Sequence, residues 1–322
     1  MEQTFALLIT YYNEKELFTA CMNSIATQTV APDELLIYDD CSPYPAKDYI
    51  PENFTIPYRI IRGAKNSGSP AYGRNVLLKE CTADYVHFHD ADDLVAPDAI
   101  AKIKYIITNN TVDLLINNVE LYINEQFITK NFMELEKIQH MGLVDFSIIY
   151  FLGTIAVTIK RELTTLTHGF IDNTLLVCAE DYEYNIRMAY HAKSWLVIDE
   201  PLFIYKQRNQ SRNINEDLSY ASYWVFKALE VTAQYLPPIY HQTIANRLNL
   251  VGCILFTSQK LVEAKKCFSF AQKLHKNSFA YLPKTYRHLG SLIGMYNTVV
   301  LTKTYRKLLP NRFRAFLNSL NK

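Results

Sequence analysis

Short apolar runs alternate with longer amphipathic stretches through the first 125 residues, and this alternation constrains the fold more than any other feature of the chain. Phe5–Ile9, Glu34–Tyr38, Tyr58–Ile61 and Tyr85–His89 are rich in β-branched or aromatic residues and read as strands. Glu14–Thr27, Ala71–Cys81 and Pro97–Thr108 carry apolar residues at helical spacing. The alternation predicts an α/β fold, a mostly parallel sheet flanked by helices on both faces. Ligands of such sheets bind beyond the carboxyl ends of the strands. Between Asp113 and Tyr205 the pattern loosens, with strands expected at Leu114–Val119, Thr154–Ile159, Trp195–Ile198 and Leu202–Tyr205, and a helix at Asp181–Tyr190. Past Asp217 only helical patterns continue, which places a boundary near 215: a catalytic-type domain over 1–215 and an all-α region over 216–322. In the latter, Gly252, Ala264, Phe268 and Ala271 keep the spacing of one tetratricopeptide-like hairpin over 245–278. A solenoid needs about three such repeats, so a single packed hairpin is expected.

The 49% hydrophobic and 20% charged composition of the 322 residues excludes a disordered chain. The net charge of +1 conceals an asymmetry: residues 1–263 hold 21 basic against 32 acidic groups, while twelve basic and no acidic residues follow. The six cysteines show no zinc-type spacing. The opening MEQTFALLITYYNEKE lacks the pattern of a signal peptide, and no run approaches the roughly 20 apolar residues of a membrane span. A cytoplasmic protein with reduced thiols is the expectation.

Three acidic clusters follow predicted strands or open a helix: Asp39–Asp40, Asp90-Ala91-Asp92-Asp93 and Glu180–Asp181. Neighbouring carboxylates repel, so a fold that gathers them at strand ends needs a cation or polar partner. Mg²⁺ or Mn²⁺ is suited to this, binding through one or two carboxylates plus substrate phosphate oxygens. In an extended segment Asp90 and Asp92 would point the same way. Taken alone, the run reads rather as a solvated turn capping the helix near Pro97. Likewise, Glu180–Asp181 alone reads as a helix N-terminus complementing the dipole, and Glu183–Arg187 as an i,i+4 pair.

Together these elements resemble the inverting glycosyltransferases of family 2, of the GT-A fold and the bacterial surface-polysaccharide type. The matching segments, in order, are Ile9-Thr10-Tyr11-Tyr12-Asn13-Glu14, Ser24-Ile25-Ala26-Thr27-Gln28, Asp39-Asp40-Cys41-Ser42, Asn66-Ser67-Gly68 with Arg74-Asn75, Asp90 with Asp92 and Asp93, and Glu180-Asp181 with Arg187. They cover residues 5–206, about two thirds of the chain. The chain departs from the family at Thr10, where Pro is frequent, at Gly73, where Ala is usual, and after Ser42, where an Asp is usual.

The resemblance implies roles. Thr10, Tyr12 and Glu14 would hold the nucleotide base, with Asp39 accepting from a uracil N–H. Asn66 belongs to the same nucleotide-sugar site, and Arg74 would meet the base or diphosphate. Asp92 is the principal ligand of Mn²⁺ or Mg²⁺, with Asp90 nearer the sugar. Asp181 is the general base, and Glu180, Lys206 and Arg208 are candidates for diphosphate or acceptor contacts. The implied reaction moves a hexose or N-acetylhexosamine from a nucleotide diphosphate donor, a UDP-sugar, to a glycan or lipid-linked acceptor. Tyr12 alone reads equally as core packing and Arg74 as a surface ion pair.

The tail over 302–322 interleaves Lys303, Arg306, Lys307, Arg312 and Arg314 with Leu308, Phe313, Phe316 and Leu320. It suits peripheral contact with an anionic membrane, on the inner face of the cell membrane, or packing of its apolar side on the catalytic domain. No nucleic-acid reading motif accompanies its charge. A nucleotidyltransferase or a dinucleotide-binding dehydrogenase would show an early Gly-rich loop, and the first glycine is Gly63. The non-catalytic alternative is a binding module acting through the helical region; the joint presence of Asp92 and Asp181 favours the enzyme.

Overall fold

A computed structural model describes residues 3–171, 175–208, 218–276, 278, 279, 282 and 284–308. The chain divides into two compact units, Met1–Asn215 and Glu216–Lys322.

The first unit is built on β1 (Phe5–Tyr11), β2 (Glu34–Asp39), β3 (Arg59–Arg62), β4 (Tyr85–Asp90), β5 (Leu94–Val95), β6 (Leu114–Ile123), β7 (Gln126–Thr129), β8 (Val157–Lys160) and β9 (Trp195–Gln207). The sheet order is β3-β2-β1-β4-β8-β6-β9-β5, with β7 beside β6. β1, β2, β3 and β4 are mutually parallel, as are β6 and β9. β8 enters antiparallel between β4 and β6.

The alternation of side chains along a strand sorts the helices onto two faces. Phe5, Leu7, Ile9 and Tyr11 of β1 share a core with α1 (Glu16–Ala26) and α3 (Ala99–Asn109), through Phe18, Met22, Ile100 and Ile103. The opposite face takes α2 (Pro70–Glu80), whose Gly73 lies against Thr10 and Tyr38. On that same face, Phe88 of β4 meets Phe170 at 5.0 Å and Tyr184 at 6.0 Å. Tyr184 belongs to α7 (Glu180–His191), which is preceded in the chain by α4 (Lys137–Met141), α5 (Leu143–Tyr150) and α6 (Arg161–Leu166).

Several expected elements shift for physical reasons. The first helix begins at Glu16 rather than Glu14, because Asn13 (φ 70°) and Lys15 (φ 48°) take left-handed conformations. The expected strands Trp195–Ile198 and Leu202–Tyr205 are one strand, β9. It passes Asp199-Glu200-Pro201 by register shifts against β6, where the Asn118 amide donates to Asp199 Oδ1 at 2.7 Å. Thr154–Ala156 is a short 3-10 turn, and β8 starts only at Val157.

The second unit is helical: α8 (Leu218–Tyr235), α9 (His241–Thr257), α10 (Leu261–Leu274), α11 (Lys284–Ile293) and α12 (Met295–Leu308). α9 and α10 form a hairpin in which Gly252 faces the Phe268 ring; a Cβ at 252 would lie 2.6 Å from it, so any larger residue would force the helices apart. Ala264, Phe268 and Ala271 are all buried. Among the described residues, no helix is long and apolar enough to cross a membrane. Ser211, Arg212 and the tail from 309 to 322 lie outside the described residues.

Candidate active site

The carboxyl ends of β1, β2 and β4 carry the first group of expected residues. Thr10 pairs with Tyr38 on one side and Asp90 on the other. Beyond it the chain turns through Tyr12, which is exposed, while the Tyr12 N–H donates to Glu14 Oε2 at 2.5 Å. The two left-handed residues therefore delay α1 and swing the Glu14 carboxylate back over the strand end. Cys41, after β2, is also left-handed (φ 55°). Non-glycine strain of this kind concentrates at binding and catalytic loops.

Asp39 is 1% exposed. Its Oδ1 accepts from Ser42 N–H at 2.8 Å, and its Oδ2 accepts from Ala46 N–H at 3.0 Å and from Arg62. Its carboxylate thus organises the loop after β2 and holds Arg62, which also donates to Ser42 O at 2.7 Å. Asp40 does the same for the next loop, accepting from Ser67 N–H and Oγ at 2.9 Å. Asn66, exposed in that loop, accepts from Gly68 N–H at 2.6 Å. The unusual Gly73 also finds its reason here. A Cβ at 73 would lie 2.5 Å from the Tyr38 ring, so the large Tyr38 requires a residue without a side chain on the facing helix.

Arg74 is the hub of the second group. Its guanidinium, 5% exposed, reaches Asp90 Oδ1 at 2.9 Å and Glu180 Oε1 at 3.1 Å. It lies 5.3 Å from the Phe170 ring centroid. Phe170 is pinned in turn by Asn75, which accepts from the Phe170 N–H and donates to its carbonyl, both at 2.8 Å. The adjacent Arg74–Asn75 pair therefore ties β4 to the start of α7, and the surface ion-pair reading of Arg74 is overturned by its burial. Ala179, left-handed at φ 79°, turns the chain so that Glu180 and Asp181 open α7. Glu183, 0% exposed, holds Arg187 with two hydrogen bonds of 2.8 Å.

The Asp90–Asp93 run is a turn and not an extended segment: Asp93 N–H donates to Asp90 O at 3.2 Å. The turn replaces the strand alternation expected for Asp90 and Asp92, and the two carboxylates stay close enough for Asp90 to help raise the Asp92 pKa. Asp90 faces Arg74, while Asp92 lies 4.0 Å from Arg208. Asp93 is buried and accepts from the Lys206 N–H at 2.9 Å, docking β9 on the turn. The Lys206 ammonium and Arg208 both pair with Glu125, at the β6–β7 turn. Glu125, Arg62, Asp40 and Phe170 were not expected from the sequence. Only Asp40 carried a signal, its place in the acidic pair.

Burial pushes the carboxyl pKa of Glu14 up to about 8, with Asp92 and Asp90 adding repulsion. Burial raises Asp92 to about 6, aided by Asp90 and opposed by Arg208. Glu180 rises to about 7, from burial and then from Asp181, with Arg74 opposing. Asp181 is also raised, by burial and by Asp90 against the pull of Arg74. Carboxylates from β4, the β1–α1 turn and α7 therefore share one electrostatic environment. Among the described residues no three His, Cys, Asp or Glu side chains form a closed metal cage. The donor set of partly exposed carboxylates, Asp90 and Asp92, nevertheless fits a hard divalent cation completed by substrate oxygens.

The model of glycosyl transferase family 2 matches residues 6–164. The chain carries a family 2 glycosyltransferase domain. An uncharacterized glycosyltransferase of Haemophilus influenzae is 26% identical over 68% of this chain and 68% of its own length. The poly(ribitol-phosphate) beta-N-acetylglucosaminyltransferase TarS of Staphylococcus aureus is 23% identical over 66% of this chain, but over only 37% of its own length. Among solved structures, residues 1–349 of that organism's TarS, in complex with UDP-GlcNAc, superpose with a TM-score of 0.68 at 18% identity, covering 96% of this chain and 93% of that one. The mannosyltransferase PcManGT of Pyrobaculum calidifontis, in complex with GDP-Man and Mn²⁺, gives 0.58 at 16% identity over 95% and 88%. The GT-A fold with a helical C-terminal region follows from these likenesses, and the family 2 domain sets the enzyme class as glycosyl transfer.

Proposed function

We propose that the chain is an inverting glycosyltransferase that moves a hexose or N-acetylhexosamine from a UDP-sugar to a hydroxyl of a glycan or lipid-linked acceptor in surface-polysaccharide synthesis. The observation that carries this reading is the Arg74 bridge, which joins Asp90 at the end of β4 to Glu180, next to Asp181. Asp181 is the base: its carboxylate takes the acceptor hydroxyl proton while that oxygen attacks the anomeric carbon from the face opposite the diphosphate. The bond to the diphosphate breaks as the new C–O bond forms, and the configuration inverts. A raised pKa brings a carboxylate closer to the proton it must accept.

Asp92 and Asp90 would hold Mn²⁺ or Mg²⁺, which supplies charge neutralisation at the departing diphosphate. Lys206 and Arg208 would exchange Glu125 for diphosphate oxygens. Thr10, Tyr12, Glu14 and Asn66 would line the nucleotide side, with Asp39 acting there through the Arg62 that it holds. The UDP-GlcNAc bound to TarS and the Mn²⁺ bound to PcManGT support the donor class and the cation. The basic tail would keep the enzyme at the inner face of an anionic membrane. Calorimetric titration with UDP, with and without Mn²⁺, followed by hydrolysis of a nucleotide-sugar panel, tests the proposal. UDP binding that ignores the cation would remove the assigned metal role, and absence of UDP binding would remove the enzyme.

A further inference from the structure

The sheet edge that carries Asp90 also carries a segment with no role so far. β8 runs antiparallel to β4 with Thr158 opposite His87, so the segment leading into β8 approaches from the carboxyl end of β4. Phe151 stands there, directly after α5. Its backbone is left-handed, φ 56° and ψ 88°. A bulky residue in this region is a true outlier, because its Cβ crowds the carbonyl that a glycine would tolerate. The surroundings enforce it. The Asn185 amide donates to Leu152 O at 2.6 Å, and the Tyr182 hydroxyl donates to Ile148 O. The strain fixes a ring that stacks on Tyr182 (centroids 5.7 Å apart, planes at 27°) yet remains 38% exposed. Tyr182 is buried and follows Asp181 in α7. The neighbouring Tyr150 is occupied otherwise, stacked on Phe146 at 5.3 Å with the Lys137 ammonium over its ring at 4.3 Å. The segment leading into α7 exposes Leu175 and Val177 on its way to Asp181.

We propose that Phe151 is the platform of an acceptor subsite beside Asp181 that receives the apolar face of a pyranose ring. This deepens the transferase reading above and rests on it. A pyranose presents C–H groups on one face and hydroxyls at its rim, so a rigid aromatic ring orients it while leaving a hydroxyl free to meet a base. An open-chain polyol phosphate presents charge and no such face. Phe151 therefore selects acceptors whose receiving unit is a sugar ring.

The test uses the full chain with UDP and Mg²⁺, methyl β-D-glucopyranoside and methyl N-acetyl-β-D-glucosaminide as ring probes, and ribitol 5-phosphate as the open-chain probe. Saturation-transfer NMR reads binding, and UDP release from UDP-sugars reads the acceptor KM. The wild type is expected to bind a ring probe in preference to ribitol 5-phosphate. Phe151→Ala should raise the ring-probe KM about tenfold at unchanged UDP affinity, and Phe151→Trp should restore it. Preference for ribitol 5-phosphate, or an acceptor KM unmoved by Phe151→Ala, overturns the proposal. So does a parallel loss of UDP affinity in both variants, which marks a structural residue. A wild type that does not bind UDP at all strikes the transferase reading first, and the subsite with it.

Discussion

Carboxylates at the amino ends of the sheet are fastened, whereas at the carboxyl ends Asp39 and Asp40 are fastened and a second group is not. At the amino ends of the strands, Asp33 accepts from Phe5 N–H at 2.8 Å and pairs with Lys104 at 2.7 Å. Asp84 accepts from Thr4 N–H at 2.9 Å and Thr4 Oγ1 at 2.8 Å, and Asp113 from Lys193 N–H at 2.7 Å. These bonds fasten strand starts, and the Thr4 N–H holds the Asp84 pKa below its ordinary value. At the carboxyl ends, Glu14, Asp92, Asp93, Glu180 and Asp181 are all pushed upward, with burial the leading cause in each. A charge stabilised at once is architectural. A charge that the fold desolvates and crowds becomes comfortable only when a proton or a cation arrives, which is the behaviour expected of a working site.

The sharpest way to break this contrast is at Asp181. Asp181→Asn keeps shape and removes basicity, so transfer should fall by about a thousandfold or more, while UDP affinity by titration holds. A matching loss of UDP affinity would move Asp181 to the architectural class. Asp92→Ala is next: UDP affinity measured in Mn²⁺ should drop roughly tenfold, the scale of one lost charge-assisted contact, and affinity in EDTA should change little. Equal affinities of variant and wild type in Mn²⁺ would end its assignment as ligand.

Much of this edge was legible in the sequence because its logic is local. Strand, acidic pair and helix start sit next to one another, so Asp39–Asp40, the Asp90–Asp93 run and Glu180–Asp181 could be placed before any coordinates. What was not legible is the pairing across long separations. Nothing in the sequence says that Arg74 reaches Glu180, 106 positions away, or that Glu125 pairs with Lys206. Backbone strain was equally hidden. Asn13, Lys15, Cys41, Phe151 and Ala179 adopt positive φ without being glycine; asparagine favours that region by itself, but for the other four tertiary contacts and not propensity hold it. Gly73 could be seen as unusual, but its cause, the Tyr38 ring, lies on another element.

Acid–base titration sharpens the contrast further. Glu14, Glu180 and Asp92 have folded pKa values of about 8, 7 and 6 against ordinary values of 4.5, 4.5 and 3.8. Each binds its proton more tightly in the folded state, so the stability it contributes is present at low pH and is lost as pH rises through its folded value. The metal-free melting temperature should therefore decline between about pH 5 and pH 8. UDP with Mn²⁺ should raise it more at pH 8 than at pH 5, since the cation binds the ionised form. A ligand-induced rise of the same size at both values would show that these carboxylates do not face the cation.

The smallest effect is expected at the opposite end of the sheet and has the opposite sign. The folded pKa of Asp84 lies below 3.8, so its contribution is present at neutral pH and disappears only as pH falls through that depressed value. Asp84→Asn retains the size of the side chain and can turn its amide oxygen toward Thr4, but it removes the charge that strengthens both bonds to that oxygen. Because Asp84 is exposed, solvent offsets most of the loss, and melting at pH 7 should drop by only about a few degrees. As pH falls through that depressed value and the wild-type carboxylate takes up its proton, the variant and the wild type should converge. Transfer activity should be unchanged, since Asp84 lies at the end of β4 remote from Asp90. A variant that lost transfer without losing stability would show that the two ends of the sheet are coupled, and the division between fastening and working carboxylates would have to be redrawn along β4 itself.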